Sequence, residues 1–446
     1  MSVDVVDSPT ADAWPLKIRA KKPAAAPAIR TIRIGILGLG QVGQAVARLA
    51  ADRSATAPAG IRFHVEQALV RDVTRPRQCP TPRHLTNETS EFLRGRYDVV
   101  VEALDTVEPA RTIVAQLLDR GTSVVTANKA LIAAHREELE SIAVTGGATL
   151  RYEATALSAV PFLGTLAARP LVASVDRVLA IVNGTSNFIL STLGEGASFD
   201  RALTRAQELG YAEPDASRDL DGFDAADKLL LLTSLFGWGR ISRDALEIDG
   251  IRHVTANDLA AARSIGGTIK AIVSAERDAH GVRAFVGPAF LPSTEPLASL
   301  SGALNGIRLD GRHVSNLFFS GPGAGPDVTA ATLLDDAIEA AGTVRLKADP
   351  HRLAAEPHRI NAPTIFPASP ATSWFLRISC PGVLPSGPAI ANLVGACGLV
   401  VERVADYASD NTRWVCIGPQ SRRTVDAAIA KLAGTHRIDA AAFRRL

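Results

Sequence analysis

A chain of 446 residues that is 47% hydrophobic and 21% charged has the composition of a folded protein and the length of about two or three domains. Its 48 basic and 46 acidic residues are mixed along the chain for a net charge of +2, which excludes a nucleic-acid footprint and points to small solutes as partners. No run of about eighteen uncharged apolar residues is present to cross a membrane. Cys79, Cys380, Cys397 and Cys416 lack CxxC or CxxH spacing, so neither a zinc site nor a disulfide framework is expected, and a reducing cytoplasm fits.

Residues 1–30, with Asp4, Asp7 and Asp12 ahead of KIRAKKPAAAPAIR, read as a flexible tail without the apolar segment of a signal peptide. From Thr31, TIRIGILGLGQVGQAVARLA reads as strand, glycine turn and helix, with Val42, Val46 and Leu49 at helical spacing. Gly38, Gly40 and Gly43 stand in G-x-G-x-x-G order. The first permits the tight turn, the second lets a pyrophosphate approach the backbone, and the third lets the helix pack on the strand. Gln41 and Val42 begin that helix, whose free N–H groups would meet phosphate. A glycine-rich turn without a ligand is the plainer alternative.

The next strand, FHVEQALV, ends in Arg71-Asp72. An acid near this strand end prefers a ribose 2′-hydroxyl and an arginine accommodates a 2′-phosphate, so Arg71, supported by Arg75 and Arg77, favours NADP, while Asp72 would favour NAD. DVVVEAL and TSVVTANK continue as buried strands with a helix over EPARTIVAQLLDRG between them, the alternation of a parallel sheet. Lys129 follows the second of these strands. Side chains there face the ligand crevice, which makes it a site candidate; a solvated lysine in the first turn of a helix is the alternative.

Further on, ELGYAEPDASRDLDGFDAADKLLLLTSLFG places Glu213, Asp215, Asp219, Asp221, Asp224 and Lys228 ahead of and within a largely apolar helix. Asp224 and Lys228 are spaced i, i+4 and share one face. They form either a structural pair or a cleft lysine whose ammonium donates to a reacting oxygen.

GLGQVG, TANKALIA, YEAT, VNGTSNFIL, AQELGYAEPD, DLDGFDAADK and SGPGAG occur in the order and spacing of homoserine dehydrogenase, and the chain resembles that family from about Thr31 to its end. The resemblance implies NADPH- or NADH-dependent reduction of L-aspartate 4-semialdehyde to L-homoserine, in threonine and methionine biosynthesis, by a homodimer or homotetramer. By position, Asp224 and Lys228 match the family's catalytic pair and Lys129 its lysine reaching both cofactor and substrate. Glu213 and Asp219 match acids that hold the substrate ammonium, Gly325 a loop that returns to the cofactor, and Asn183 and Thr185 a polar turn near the substrate. Glu153 matches the acid of a monovalent cation site, such as sodium, otherwise built from backbone carbonyls, here Ala156, Ser158 and Val160.

The chain also departs from the family. Ala156-Leu157-Ser158-Ala159 stands where the family has Val-Gly-Gly-Gly, and Leu157 is expected to narrow the substrate crevice or to rearrange its backbone donors. Asp105 and Thr106 replace a Gly-Gly pair beside the nicotinamide. Two other readings therefore stand beside the first: a divergent reductase of another amino-aldehyde, and a non-catalytic amino-acid or nucleotide sensor.

The expected fold is α/β. A Rossmann-type domain covers 31–150 with a return helix near 325–341, and a mixed α/β substrate and dimerisation domain covers 151–325. A Pro- and Ala-rich linker covers 342–372. Beyond it, 373–446 read as a βαββαβ unit that resembles the ACT regulatory domain, most closely at Pro381-Gly382-Val383-Leu384. Ser379 stands where that domain commonly carries an Asp.

Overall fold

The computed structural model describes residues 29–52, 60–80, 82–168, 174–239, 241–313, 315–343, 371–380, 382, 385–409, 411–436 and 438–446. Nearly all of the expected tail and linker, together with Pro381, Val383 and Leu384, lies outside them. The first sheet is parallel, in the order β3-β2-β1-β4-β5-β6. Its strands are β1 (Arg30–Leu37), β2 (Ile61–Leu69), β3 (His84–Thr86), β4 (Val99–Glu102), β5 (Ser123–Thr126) and β6 (Leu150–Arg151). Chain order reverses at β1, between β2 and β4, so the ligand crevice of such a sheet opens beyond the carboxyl ends of these strands.

Both faces of this sheet are covered, which explains the unbroken apolar runs of β4 and β5. On one face Ile32, Ile34 and Val101 pack against Val46 and against Leu333 and Leu334 of the Pro326–Thr343 helix. That helix therefore returns from the far side of the second domain to complete the first. On the other face Val100 and Val124 join Ile113, Leu131 and Leu139 in a core that continues into Leu229, Leu232 and Trp238. One core thus holds the Lys129–Gly146 helix and the Phe223–Leu235 helix together, and fixes what their first turns present to each other.

The second sheet has ten strands and runs through two units. Its first part comprises β7 (Val175–Ile181), β8 (Glu247–Ile248), β9 (Gly267–Asp278), β10 (Gly281–Pro292), β11 (Leu304–Gly311) and β12 (Leu317–Pro322). The second comprises β13 (Thr372–Ser379), β14 (Val401–Ser409), β15 (Thr412–Gln420) and β16 (Asp439–Arg445), with helices Gly387–Ala396 and Arg422–His436. The order is β12-β11-β7-β9-β10-β16-β13-β15-β14, with β8 on β10. The C-terminal βαββαβ unit is joined to the rest where β16 pairs in parallel with β10 through Ala289↔Arg444 and Phe290↔Arg445. Fully buried Asp258 reinforces this join: it accepts from Arg377 Nη1 at 2.6 Å and Trp414 Nε1 at 2.7 Å while capping its own helix. Among the described residues no helix is long and apolar enough to cross a membrane.

Candidate active site

Lys129 is the first residue of a helix that Asn128 caps, its side-chain oxygen accepting from Leu131 N at 3.0 Å. The cap aims the lysine across the domain boundary. Its Nζ lies 2.7 Å from Asp224 Oδ1, and Lys228 Nζ lies 3.0 Å from Asp224 Oδ2 and donates to Val182 O at 2.7 Å. One carboxylate thus holds two ammonium groups, one from its own helix and one from the helix that begins at Lys129. Burial pushes the Asp224 carboxyl up, but the charges of Lys228 and Lys129 outweigh burial and hold it well below the usual carboxylate range. Asp224 is therefore held as an anion between two cations.

The polar turn of VNGTSN does something else. Asn183 Nδ2 donates to Asp219 Oδ1 at 2.7 Å and to Asp224 Oδ2 at 3.0 Å, while its oxygen caps the Gly184–Gly194 helix by accepting from Ser186 N at 2.8 Å. It is a brace between two carboxylates, a role that spacing along the chain does not reveal. Thr185 turns away to donate to Tyr211 O. Burial raises the Asp219 carboxyl; the Asn183 hydrogen bond opposes this, and the charges of Asp224 and Glu213 add to it. Exposed Glu213 is thus brought within electrostatic reach of Asp219, giving an acidic pair beside a cationic pair.

The glycine turn borders the same crevice. Gly38 has φ +90°, and a Cβ there would lie 2.9 Å from Ala103 O; one on Gly43 would lie 1.9 Å from Gly38 O. Only glycine fits these two. Gly40 faces open space and starts the Gln41–Ala51 helix with no side-chain cap, so the first N–H groups, including those of Gln41 and Val42, are left for a ligand. Gly325, at φ +139°, opens the return helix beside it, and Arg48 pairs with Asp327 at 3.0 Å across the two helices. At the end of β2 the Asp72 carboxylate accepts from Thr74 N at 2.8 Å and Thr74 Oγ1 at 2.7 Å. Arg71 stays 94% exposed, 4.0 Å from Asp105 of the substituted Gly-Gly position.

The segment 153–160 differs most from expectation. The Glu153 carboxylate accepts from Phe162 N and Leu163 N at 2.9 Å and from Gly164 N at 2.6 Å, so the residue expected to hold a cation is engaged as a cap for the Leu163–Ala167 helix. Ser158 O accepts from Thr332 Oγ1 at 2.9 Å, Val160 O accepts from Phe162 N at 3.0 Å, and Ala156 N donates to Glu153 O at 3.4 Å. These bonds engage Glu153 and the carbonyls of Ser158 and Val160 within the protein. Leu157 does not narrow the crevice: it is 1% exposed and belongs to the core shared by the two domains. Ser158 keeps the backbone that a glycine favours, at φ +47°.

Comparison with known proteins covers both of these units. The family model for the homoserine dehydrogenase NAD-binding domain matches residues 38–153 and that for homoserine dehydrogenase matches residues 161–338. The chain is 36% identical to homoserine dehydrogenase of Synechocystis over 321 residues, 70% of this chain and 74% of that one. It is 39% identical to that of Mycobacterium leprae over 322 residues, 70% and 73% of the two chains. The crystal structure of a homoserine dehydrogenase from Thiobacillus denitrificans superposes with a TM-score of 0.75 at 28% identity, covering 94% of this chain and 98% of that one. A Staphylococcus aureus homoserine dehydrogenase superposes at 0.73 and 26% identity, covering 94% and 99%. With the glycine turn, the two lysines on one aspartate and the acidic pair in one crevice, the chain belongs to the homoserine dehydrogenase family.

Proposed function

We propose that the crevice between the two domains carries out the family's NAD(P)-dependent interconversion of L-aspartate 4-semialdehyde and L-homoserine with Lys228 and Lys129 as the groups that stabilise charge on the reacting oxygen. The observation that carries this reading is the Asp224 carboxylate held at 2.7 and 3.0 Å by Lys129 and Lys228. When bound, the nicotinamide supplies or accepts the hydride at the aldehyde carbon. As the oxygen gains negative charge, an ammonium already oriented by Asp224 meets it without reorganisation, the arrangement by which fixed donors lower a barrier. Because Asp224 stays ionised, the proton that neutralises the alkoxide comes from a lysine Nζ. Glu213 and Asp219 hold the substrate ammonium by charge, and Asn183, donating to both Asp219 and Asp224, offsets the repulsion between these two carboxylates.

NADP is the preferred cofactor on this reading. Support comes from Asp72, whose carboxylate is engaged with Thr74, and from Arg71, whose guanidinium is exposed beyond the strand end with Asp105 4.0 Å away. The C-terminal unit reads as an ACT-like effector domain, supported by its βαββαβ order and by its sheet connection to β10. Steady-state turnover of aspartate semialdehyde with NADPH and with NADH, followed by nicotinamide absorbance, tests the reaction and the cofactor together. Robust turnover with NADPH is expected; reduction of another amino-aldehyde in its place would mark a divergent reductase, and cofactor binding without any turnover a sensor.

A further inference from the structure

Glu102 ends β4 and is fully buried. It lies between Leu37 of β1 and Thr126 of β5, at the carboxyl ends of the three strands that frame the crevice. Among the described residues no cation pairs with it. Its partners are neutral: Oε1 accepts from Leu104 N at 2.7 Å and faces Asn128 Nδ2 at 3.5 Å, and Oε2 accepts from the Thr126 hydroxyl. Burying a carboxyl among neutral groups is unfavourable, and here burial, with a smaller push from Asp105, raises it to about 7. A valine would continue the strand more cheaply.

The bonds beyond Glu102 indicate what it does. A hydroxyl has one proton, so Thr126, by donating to Glu102, is left to accept from Asn128 N at 2.9 Å. Asn128 in turn donates to Thr106 O at 2.8 Å and caps the helix whose first residue is Lys129. On its other oxygen Glu102 holds Leu104 N, and so the Ala103-Leu104 segment that presses on Gly38. We propose that Glu102 is a positioning residue for the reaction: through Thr126 and Asn128 it sets where the Lys129 ammonium stands relative to Asp224 and the reacting oxygen. The proposal rests on the reading above that Lys129 serves the reaction.

Glu102→Gln keeps size and one acceptor but puts an N–H where Oε2 accepted, so the Thr126 hydroxyl must turn round and release Asn128 N. A positioning role and a merely structural one then differ in a double-mutant cycle with Lys129→Ala on the full chain, assayed with aspartate semialdehyde and NADPH. Glu102→Gln alone is expected to lower kcat about tenfold, the order for a small misplacement of a reacting group, with KM for NADPH within about threefold. In the Lys129→Ala background it is expected to do almost nothing further. Additive losses, or a single variant with wild-type kcat, overturn the proposal while leaving Lys129 in place; an unimpaired Lys129→Ala overturns the role of Lys129 and this proposal with it. Should Glu102→Gln not fold, Thr126→Val removes the intermediate hydroxyl alone, and the same non-additivity is expected of it, with additivity again refuting the idea.

Discussion

Lys129 Nζ and Asp224 Oδ1 are 2.7 Å apart although 95 residues separate them in the chain. The pair is the only described direct ion pair between the helix that begins at Lys129 and the helix that carries Lys228, and both helices are anchored in one hydrophobic core. A charge held this way needs no movement to act, because packing has already fixed both ends. On the proposed reading the two ends have different tasks: the anion orients, and the cations meet the oxygen.

That division predicts the phenotype of Lys228→Ala and of Asp224→Asn. Removing the donor should lower kcat by about 10²–10³, the scale for loss of one preorganised donor in a transition state. Asp224→Asn should do comparable damage by a different route, since two ammonium groups are left close together without their counter-charge, and one of them will lose its proton more readily. Steady-state kinetics beside a fluorescence titration of NADPH would check both: affinity for the cofactor should stay within about threefold. A Lys228→Ala variant that keeps a third or more of wild-type kcat would remove this lysine from the reaction.

The proposed preference for NADP rests on Arg71. Because its guanidinium is exposed and Asp72 is tied into its own turn, Arg71→Ala should weaken NADPH about 10- to 100-fold, the range of a charge-assisted hydrogen bond, and leave NADH almost unchanged. Equal losses for both cofactors in a binding titration would transfer the selectivity to another residue.

Much of this architecture is written locally. The glycine turn, the apolar strands β4 and β5 and the alternating helices follow from residues adjacent in the chain, so their positions can be read directly. Contacts that depend on packing are not. Asp224 and Lys228 are visible as an i, i+4 pair, but nothing in either neighbourhood says that Lys129 closes the triad. The buried strand DVVVEAL gives Glu102 no evident partner along the chain; the one signal for its role is that VEAL and VTANK end adjacent strands with polar residues at equal height. Leu157 misleads for the opposite reason: a leucine among small residues suggests an obstruction, and only the fold shows that its side chain enters the core.

Neighbouring residues of that segment should therefore respond in opposite directions. Ser158 holds φ +47°, where a side chain is strained by about 1 kcal/mol, so Ser158→Gly should raise the free energy of unfolding by roughly that amount. Leu157→Gly should lower it by about 2–5 kcal/mol, as expected for emptying a core site. Urea titrations of the two variants provide the comparison, and activity after refolding shows whether either affects KM for the aldehyde. A Leu157→Gly protein of wild-type stability would mean that the side chain projects into the crevice after all.

The last expectation concerns pH and Glu102. Its carboxyl has an ordinary value of 4.5 and is raised to about 7 in the fold. Between these two values the folded chain binds more protons at this residue than the unfolded chain does, so stability falls as pH rises through the interval. At about 1.4 kcal/mol per unit, the full difference amounts to about 3 kcal/mol, absent below pH 4.5 and complete above about 7. Glutamine in its place cannot ionise and removes this dependence. The stability of wild type relative to Glu102→Gln should therefore decline by about 3 kcal/mol between pH 5 and pH 8, a slope that other titrating groups common to both proteins cancel out of. Denaturant unfolding of the pair at several pH values measures it. A flat difference across that range would show that the carboxyl ionises freely, and that the hydrogen bonds from Thr126 and Leu104 compensate for its burial more fully than their neutral donors suggest.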